Sequence, residues 1–198
     1  MRLSSLAIAS LVFALMPSAQ ADTVTISEST PFAKDSGASD AVKAECKFET
    51  LLPKYIKKAA KKGVDIKLSA EALDSVEGRV LHLESTKVFA LGGGPYSGSK
   101  SVTVSGELRE NGEVIGSLTA RRRSLIGWFA GTCKLLKKVA KKMGEDIAIW
   151  LREPTMDAKL GDAEQDAEQD AEQDAEQDAE QDAEQDAERE AEGDASSS

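Results

Sequence analysis

Two cysteines, a single histidine, a glycine-rich loop and two runs of lysine are the residues of this chain whose types and spacing could support chemistry. Cys46 and Cys133 could be a redox pair, part of a metal site or a structural bridge. Redox pairs lie close together, as in C-x-x-C, and these two lie far apart. Two cysteines and His82 do not make a four-ligand site, so no metal is expected, and nothing calls for a cofactor. A disulfide remains, provided the chain folds where thiols oxidise. The loop "GGGPYSGSKS", Gly92 to Ser101, has the glycine spacing of a phosphate loop at Gly93 and Gly98. Ser99 separates Gly98 from Lys100, however, and a strand pattern follows where phosphate binding needs a helix N-terminus. The same loop lacks the G-x-S-x-G nucleophile elbow. His82, the one candidate base for a serine, falls within a strand pattern.

The N-terminus supplies the oxidising compartment. Arg2 precedes the apolar run "LAIASLVFALM", which is too short to span a bilayer. "PSAQA" comes next, with small residues at cleavage-site spacing. This reads as a secretory signal peptide over 1–21, cut after Ala21, and places the mature chain in the periplasm or outside the cell. The two cysteines are then expected to pair with each other.

Charge divides the mature chain in two. Residues 22–160 hold 23 basic and 18 acidic side chains, a charge of +5, whereas 161–198 hold 17 acids and one base, Arg189. The acidic part opens with six copies of "DAEQ" from Asp162. Every Asp faces another Asp four residues on, which destabilises a helix, and no apolar face is available to pack. Residues 161–198 are therefore expected to be a disordered tail that buries nothing. Expansion of the coding repeat, with no function, is an equal reading of it.

The body, 22–160, is one domain's worth of chain. "DTVTISEST" and "VDIKL" alternate as strands, and between them "AECKFETLLPKYIKKAAKKG" reads as one helix. Phe48, Leu51, Leu52, Tyr55, Ile56 and Ala59 share its inner face, and Pro53 sits awkwardly within it. Gly78–Leu91 reads as a strand with Leu81, Leu83, Phe89 and Leu91 on one face. Ser101–Arg109 and Glu113–Arg123 form a hairpin about Asn111-Gly112. A three-residue loop, Glu110–Gly112, would oppose Leu108 with Val114 and keep the apolar sets on one face. In the second helix Leu136, Val139, Ala140, Met143, Ile147, Trp150 and Leu151 form a stripe. Thr132 is its expected cap, and Gly144 marks a close contact or a weak point. The expected fold is α+β: a two-layer sandwich with a mainly antiparallel sheet of four or five strands and two helices on one face. Each cysteine reads as lying at a helix start, so parallel helices could be clamped at their N-termini.

The segments "ECKFETLLPKYI", "ALGGGPYSGSKSVTVSGELRENGEVIGS" and "GTCKLLKKVAKKMGEDIAIWL" resemble a domain-of-unknown-function family of secreted proteins and lipoproteins of Gram-negative bacteria. In layout that family is similar to small envelope modules such as the N-terminal domain of the Tol translocation protein. The resemblance spans about Cys46 to Leu151 and omits the acidic tail. It implies fold and compartment, and it carries over no catalytic residue.

What remains is the surface. Lys54, Lys57, Lys58, Lys61 and Lys62 lie opposite the apolar stripe of the first helix. Lys134, Lys137, Lys138, Lys141 and Lys142 do so on the second, and Arg121, Arg122 and Arg123 close the last long strand. Exposed lysines usually do no more than solvate a helix face. Gathered on one layer they could bind anions: anionic lipid headgroups, an acidic protein, or the chain's own tail. Compartment and the lack of interleaved aromatics argue against nucleic acid. The sequence thus points to a non-enzymatic binding or interaction module, with a secreted hydrolase-like enzyme as the alternative.

Overall fold

The computed structural model describes residues 23–60, 63–90, 98–124 and 131–169. The chain runs β1 (Thr23–Ser27), α1 (Asp40–Cys46), α2 (Phe48–Ala60), β2 (Asp65–Ser69) and a 3₁₀ turn (Leu73–Ser75). It continues through β3 (Arg79–Phe89), β4 (Lys100–Glu110), β5 (Glu113–Ser124), α3 (Thr132–Trp150), β6 (Ala158–Gly161) and a last helix, α4, over 162–169. The fold is α+β, with a six-stranded sheet ordered β2-β1-β3-β4-β5-β6. Only the β3-β4 and β4-β5 pairs are antiparallel; β1-β2, β1-β3 and β5-β6 are parallel. The sheet is mixed, rather than mainly antiparallel, because helical crossovers connect β1 to β2 and β5 to β6, and such connections return a strand in the same direction.

The strands bury one face against the helices. Val24, Ile26, Ile66, Leu81, Val102, Val104, Leu108, Leu118 and Ala120 share a core with Phe48, Leu52 and Ile56 of α2. The α3 stripe joins it: Leu136, Val139, Ala140, Met143, Ile147, Trp150 and Leu151 are all buried. The opposite sheet face carries short polar side chains, including Ser101, Thr103, Ser105, Ser117 and Thr119, in step with the alternation of β4 and β5.

Several local details depart from the sequence reading. The first helix is two, broken at Lys47, which adopts a left-handed conformation (φ 50°). Cys46 therefore ends α1 instead of opening a helix. Pro53 lies well inside α2 and removes the N–H that Glu49 C=O would accept. Thr30 N–H donates to that carbonyl instead, at 2.9 Å, so the proline leaves no buried acceptor unmet. The N-cap of α3 is Gly131, and Thr132 is its first helical residue.

The hairpin turn is the two-residue Asn111-Gly112 form, with positive φ at both (51° and 90°), and Glu110 opposes Glu113. The extra residue sits in β5 as a bulge at Ile115, so Leu108 opposes Gly116, not Val114, and Val104 opposes Ala120. The Asn-Gly pair suits a turn of this twist, and the bulge restores the common apolar face that the sequence requires. A second bulge at Thr86 reverses the parity of β3. Val88 points inward and Phe89 is 55% exposed, where alternation alone had placed Phe89 in the core. Leu91 lies outside the described residues.

Three contacts show that α2 and α3 run parallel: Cys46 to Cys133, Tyr55 and Ile56 to Gly144, and Gly63 to Arg152. The disulfide joins Cys46 to Cys133 with Cα atoms 4.6 Å apart. At the crossing, a methyl group on Gly144 would lie 2.8 Å from Tyr55 Cβ and 2.9 Å from the Ile56 nitrogen. Gly144→Ala should therefore destabilise the protein by about 1–2 kcal/mol in urea denaturation. Overpacking outweighs the roughly 1 kcal/mol that alanine gains in a free helix. An unchanged or raised midpoint would show that the helices can part at no cost.

Candidate functional site

The two helices that clamp together carry the cationic surface. Lys54, Lys57 and Lys58 of α2 are exposed, as are Lys134, Lys137, Lys138, Lys141 and Lys142 of α3. Their inner faces are fixed by the core, and the parallel packing sets the two rows side by side. Glu145 partly offsets them, 3.1 Å from Lys142 and 3.8 Å from Lys141. Such exposed pairs hold little energy and leave the lysines free to exchange partners. Lys61 and Lys62 lie outside the described residues.

Between the helices runs an open groove of about 440 Å³. Tyr55, Ala59, Ala148 and Ile149 give it an apolar floor, and Lys58, Lys141 and Arg152, with the single acid Glu145, stand on its rim. Ile149 is 62% exposed, an apolar side chain among cations. The surface thus offers positive charge and a small hydrophobic foothold together. The lysine spacing was legible in the sequence; the groove was not, because it depends on which residues of two distant helices meet.

Arg121, Arg122 and Arg123 do not belong to this layer. Alternation along β5 puts Arg121 and Arg123 on the uncovered sheet face and Arg122 on the helix side. Each is already paired. Arg122 donates two bonds to Asp146 of α3, from Nε at 2.6 Å and Nη2 at 2.7 Å, and a third to Asp162 at 3.3 Å. The bond to Asp146 holds the Arg122 guanidinium above its ordinary value against the opposing effect of burial, and the charges of Asp146 and Asp162 add to it. Arg123 donates to Asp166 at 3.1 Å, and its backbone N–H to Asp162 at 2.6 Å; Arg121 pairs with Asp166 as well.

Asp162 and Asp166 belong to the first two repeats, so ordered structure continues past the boundary expected at Gly161. Residues 162–169 are helical and Ala163 is buried. The expectation that the tail buries nothing is corrected there, because arginines offset the Asp–Asp repulsion. The later repeats lie outside the described residues.

The remaining sequence candidates supply no comparable site. Lys100, the lysine of the glycine-rich loop, is fully buried at the start of β4, and burial pushes its ammonium below the ordinary value. It is not presented to a phosphate, and a strand follows it. Residues 92–97 of that loop lie outside the described residues. His82 is on the uncovered sheet face, where it shares a shallow depression with Ser105, Glu107, Ser117 and Asp157. Ser117 Oγ donates to Asp157 Oδ1 at 3.0 Å and accepts from its N–H at 2.7 Å, so this hydroxyl holds a turn. Among the described residues no group of three or more His, Cys, Asp or Glu is placed to hold a metal. No helix among them is long and apolar enough to cross a membrane.

Fold and surface together define a disulfide-clamped α+β domain with a cationic helical layer. Neither a protein-family model nor a curated protein matches the chain. Solved structures similar to it include the PelC dodecamer from Paraburkholderia phytofirmans, with 16% identity over 63% of this chain and 87% of that one, TM-score 0.40. A DUF330 protein from Xanthomonas campestris shows 8% identity over 67% and 84%, TM-score 0.43. A minor lipoprotein from Acinetobacter baumannii shows 16% identity over 66% and 90%, TM-score 0.35. No activity follows from likeness at this level.

Proposed function

We propose that the chain is a non-enzymatic interaction module of the bacterial envelope whose α2–α3 layer binds anionic lipid surfaces. The observation that carries this reading is the groove: an exposed Ile149 and a Tyr55 floor set between Lys58, Lys141 and Arg152, with further lysines flanking it. A soluble protein gains from exposed lysines alone, but an apolar foothold inside a cationic field suits an interface with headgroups above and acyl chains below. The signal-like N-terminus and the disulfide agree with a periplasmic or secreted site of action. In this reading the domain is a small envelope module of the kind found at the N-terminus of the Tol translocation protein.

Ile149→Asn separates this proposal from simple charge attraction. The side chain is exposed, so stability should change by less than about 0.5 kcal/mol. Binding to vesicles containing anionic phospholipid should fall about tenfold, while weak adsorption to a purely charged resin should not change. Equal vesicle binding by Ile149→Asn and wild type would rule the foothold out.

A further inference from the structure

The ion pairs of α4 seat a short acidic segment on three arginines. Asp162 and Asp166 stand four residues apart, on one side of the helix; Arg122 and Arg123 hold Asp162, and Arg121 and Arg123 hold Asp166. Ala163 packs beneath, and Ala167 lines the groove shared with Phe89, Thr103 and Lys159 on the uncovered sheet face. Asp146 braces the clamp from behind by orienting Arg122. The pattern recognised is Asp-Ala-x-x-Asp-Ala, two consecutive repeats.

The chain carries six DAEQ copies in succession, so it holds three separate repeat pairs and one clamp. A single straight helix could not bring all of them to that clamp. A four-residue repeat on a helix of 3.6 residues per turn rotates its aspartates by about 40° per copy. Two copies stay within reach of one side of a sheet; the third and fourth would have turned away. Four copies are therefore surplus to the clamp of their own chain, yet they repeat the same sequence.

We infer that the arginine clamp is an exchangeable receptor for this aspartate ladder, and that its second occupant is a repeat pair from another copy of this chain. The tethered pair has the higher effective concentration, so exchange is weak in dilute solution and grows where copies are crowded. The contacts are ion pairs between part-exposed groups, so salt opposes exchange.

The test is sedimentation equilibrium of the full chain at low ionic strength and in about 0.5 M salt. Wild type is expected to self-associate weakly at low salt and to be monomeric at high salt. Asp162→Asn with Asp166→Asn empties the clamp of its seated pair; the later repeats of the same chain still compete for it, so association should rise severalfold and only at high protein concentration. Adding Arg121→Gln and Arg123→Gln should abolish it. A monomeric double-aspartate variant at all concentrations, or association indifferent to the arginine changes, overturns the inference. A second arm uses wild type alone, in case the aspartate variant folds poorly. A free (DAEQ)4 peptide should disperse the associated form, and a peptide of the same composition with the aspartates not four apart should not. Equal dispersal by both peptides would mean that charge alone is read, which also overturns the proposal.

Discussion

Removing the Cys46–Cys133 bridge is expected to lower the stability of the domain by about 4–5 kcal/mol. The two cysteines are 87 residues apart in sequence, and a bridge over so long a loop takes much of the conformational freedom from the unfolded chain. The bridge also sits where it matters for the surface. It pins the end of α1 and the start of α3 at the point from which α2 and α3 set out in parallel. Urea denaturation of Cys46→Ala with Cys133→Ala against wild type reads the difference directly, and reduction of wild type should reproduce it. A loss below about 1 kcal/mol would mean that core packing alone aligns the helices. Oxidised wild type should show no free thiol by alkylation and mass spectrometry.

The second large effect lies on the lysine layer. Neutralising Lys58, Lys137, Lys138 and Lys141 together by glutamine should weaken binding to anionic vesicles by about 4 kcal/mol, or roughly a thousandfold. A lysine near an anionic surface contributes about 1 kcal/mol. All four side chains are exposed, so the fold should tolerate the change. Vesicle co-sedimentation across a salt series checks it. Wild-type affinity should fall steeply with salt, and that of the variant should be weak and nearly flat. A variant that binds like wild type would place the lipid contact elsewhere.

How much of this could be read from the sequence depends on the range of the interaction concerned. The α3 stripe from Leu136 to Leu151 was legible because helical spacing is a local property, and so was the pairing of the only two cysteines. Gly144 announced a close contact, although its partners, Tyr55 and Ile56, could not be named from spacing. Phe89 was misplaced because a single bulge at Thr86 reverses the alternation, and nothing local to β3 demands that bulge. The hairpin failed for a related reason: the need for a shared apolar face was right, but the extra residue can sit in the turn or at Ile115. Pro53 looked disruptive because its compensation, the Thr30 N–H, comes from a distant loop.

The candidate site divides in the same way. The lysines of α2 and α3 were assigned correctly to exposed faces because their opposite faces are apolar. Arg121, Arg122 and Arg123 were grouped with them by charge alone. Strand alternation sends them to two sides of the sheet, and Asp146, Asp162 and Asp166 occupy them. The tail's like-charge spacing argues against a helix when the segment is considered alone. What it could not include was a row of arginines at the matching distance.

The central claim is that the α2–α3 layer is the face that meets an anionic membrane surface. Hydrogen exchange of the full chain with and without vesicles of anionic phospholipid tests it most directly. Exchange should slow along α2 and in α3 around Lys141 to Arg152, with the uncovered strands β3, β4 and β5 unchanged. Protection centred on those strands, or none on either helix under conditions where the protein is bound, would contradict it.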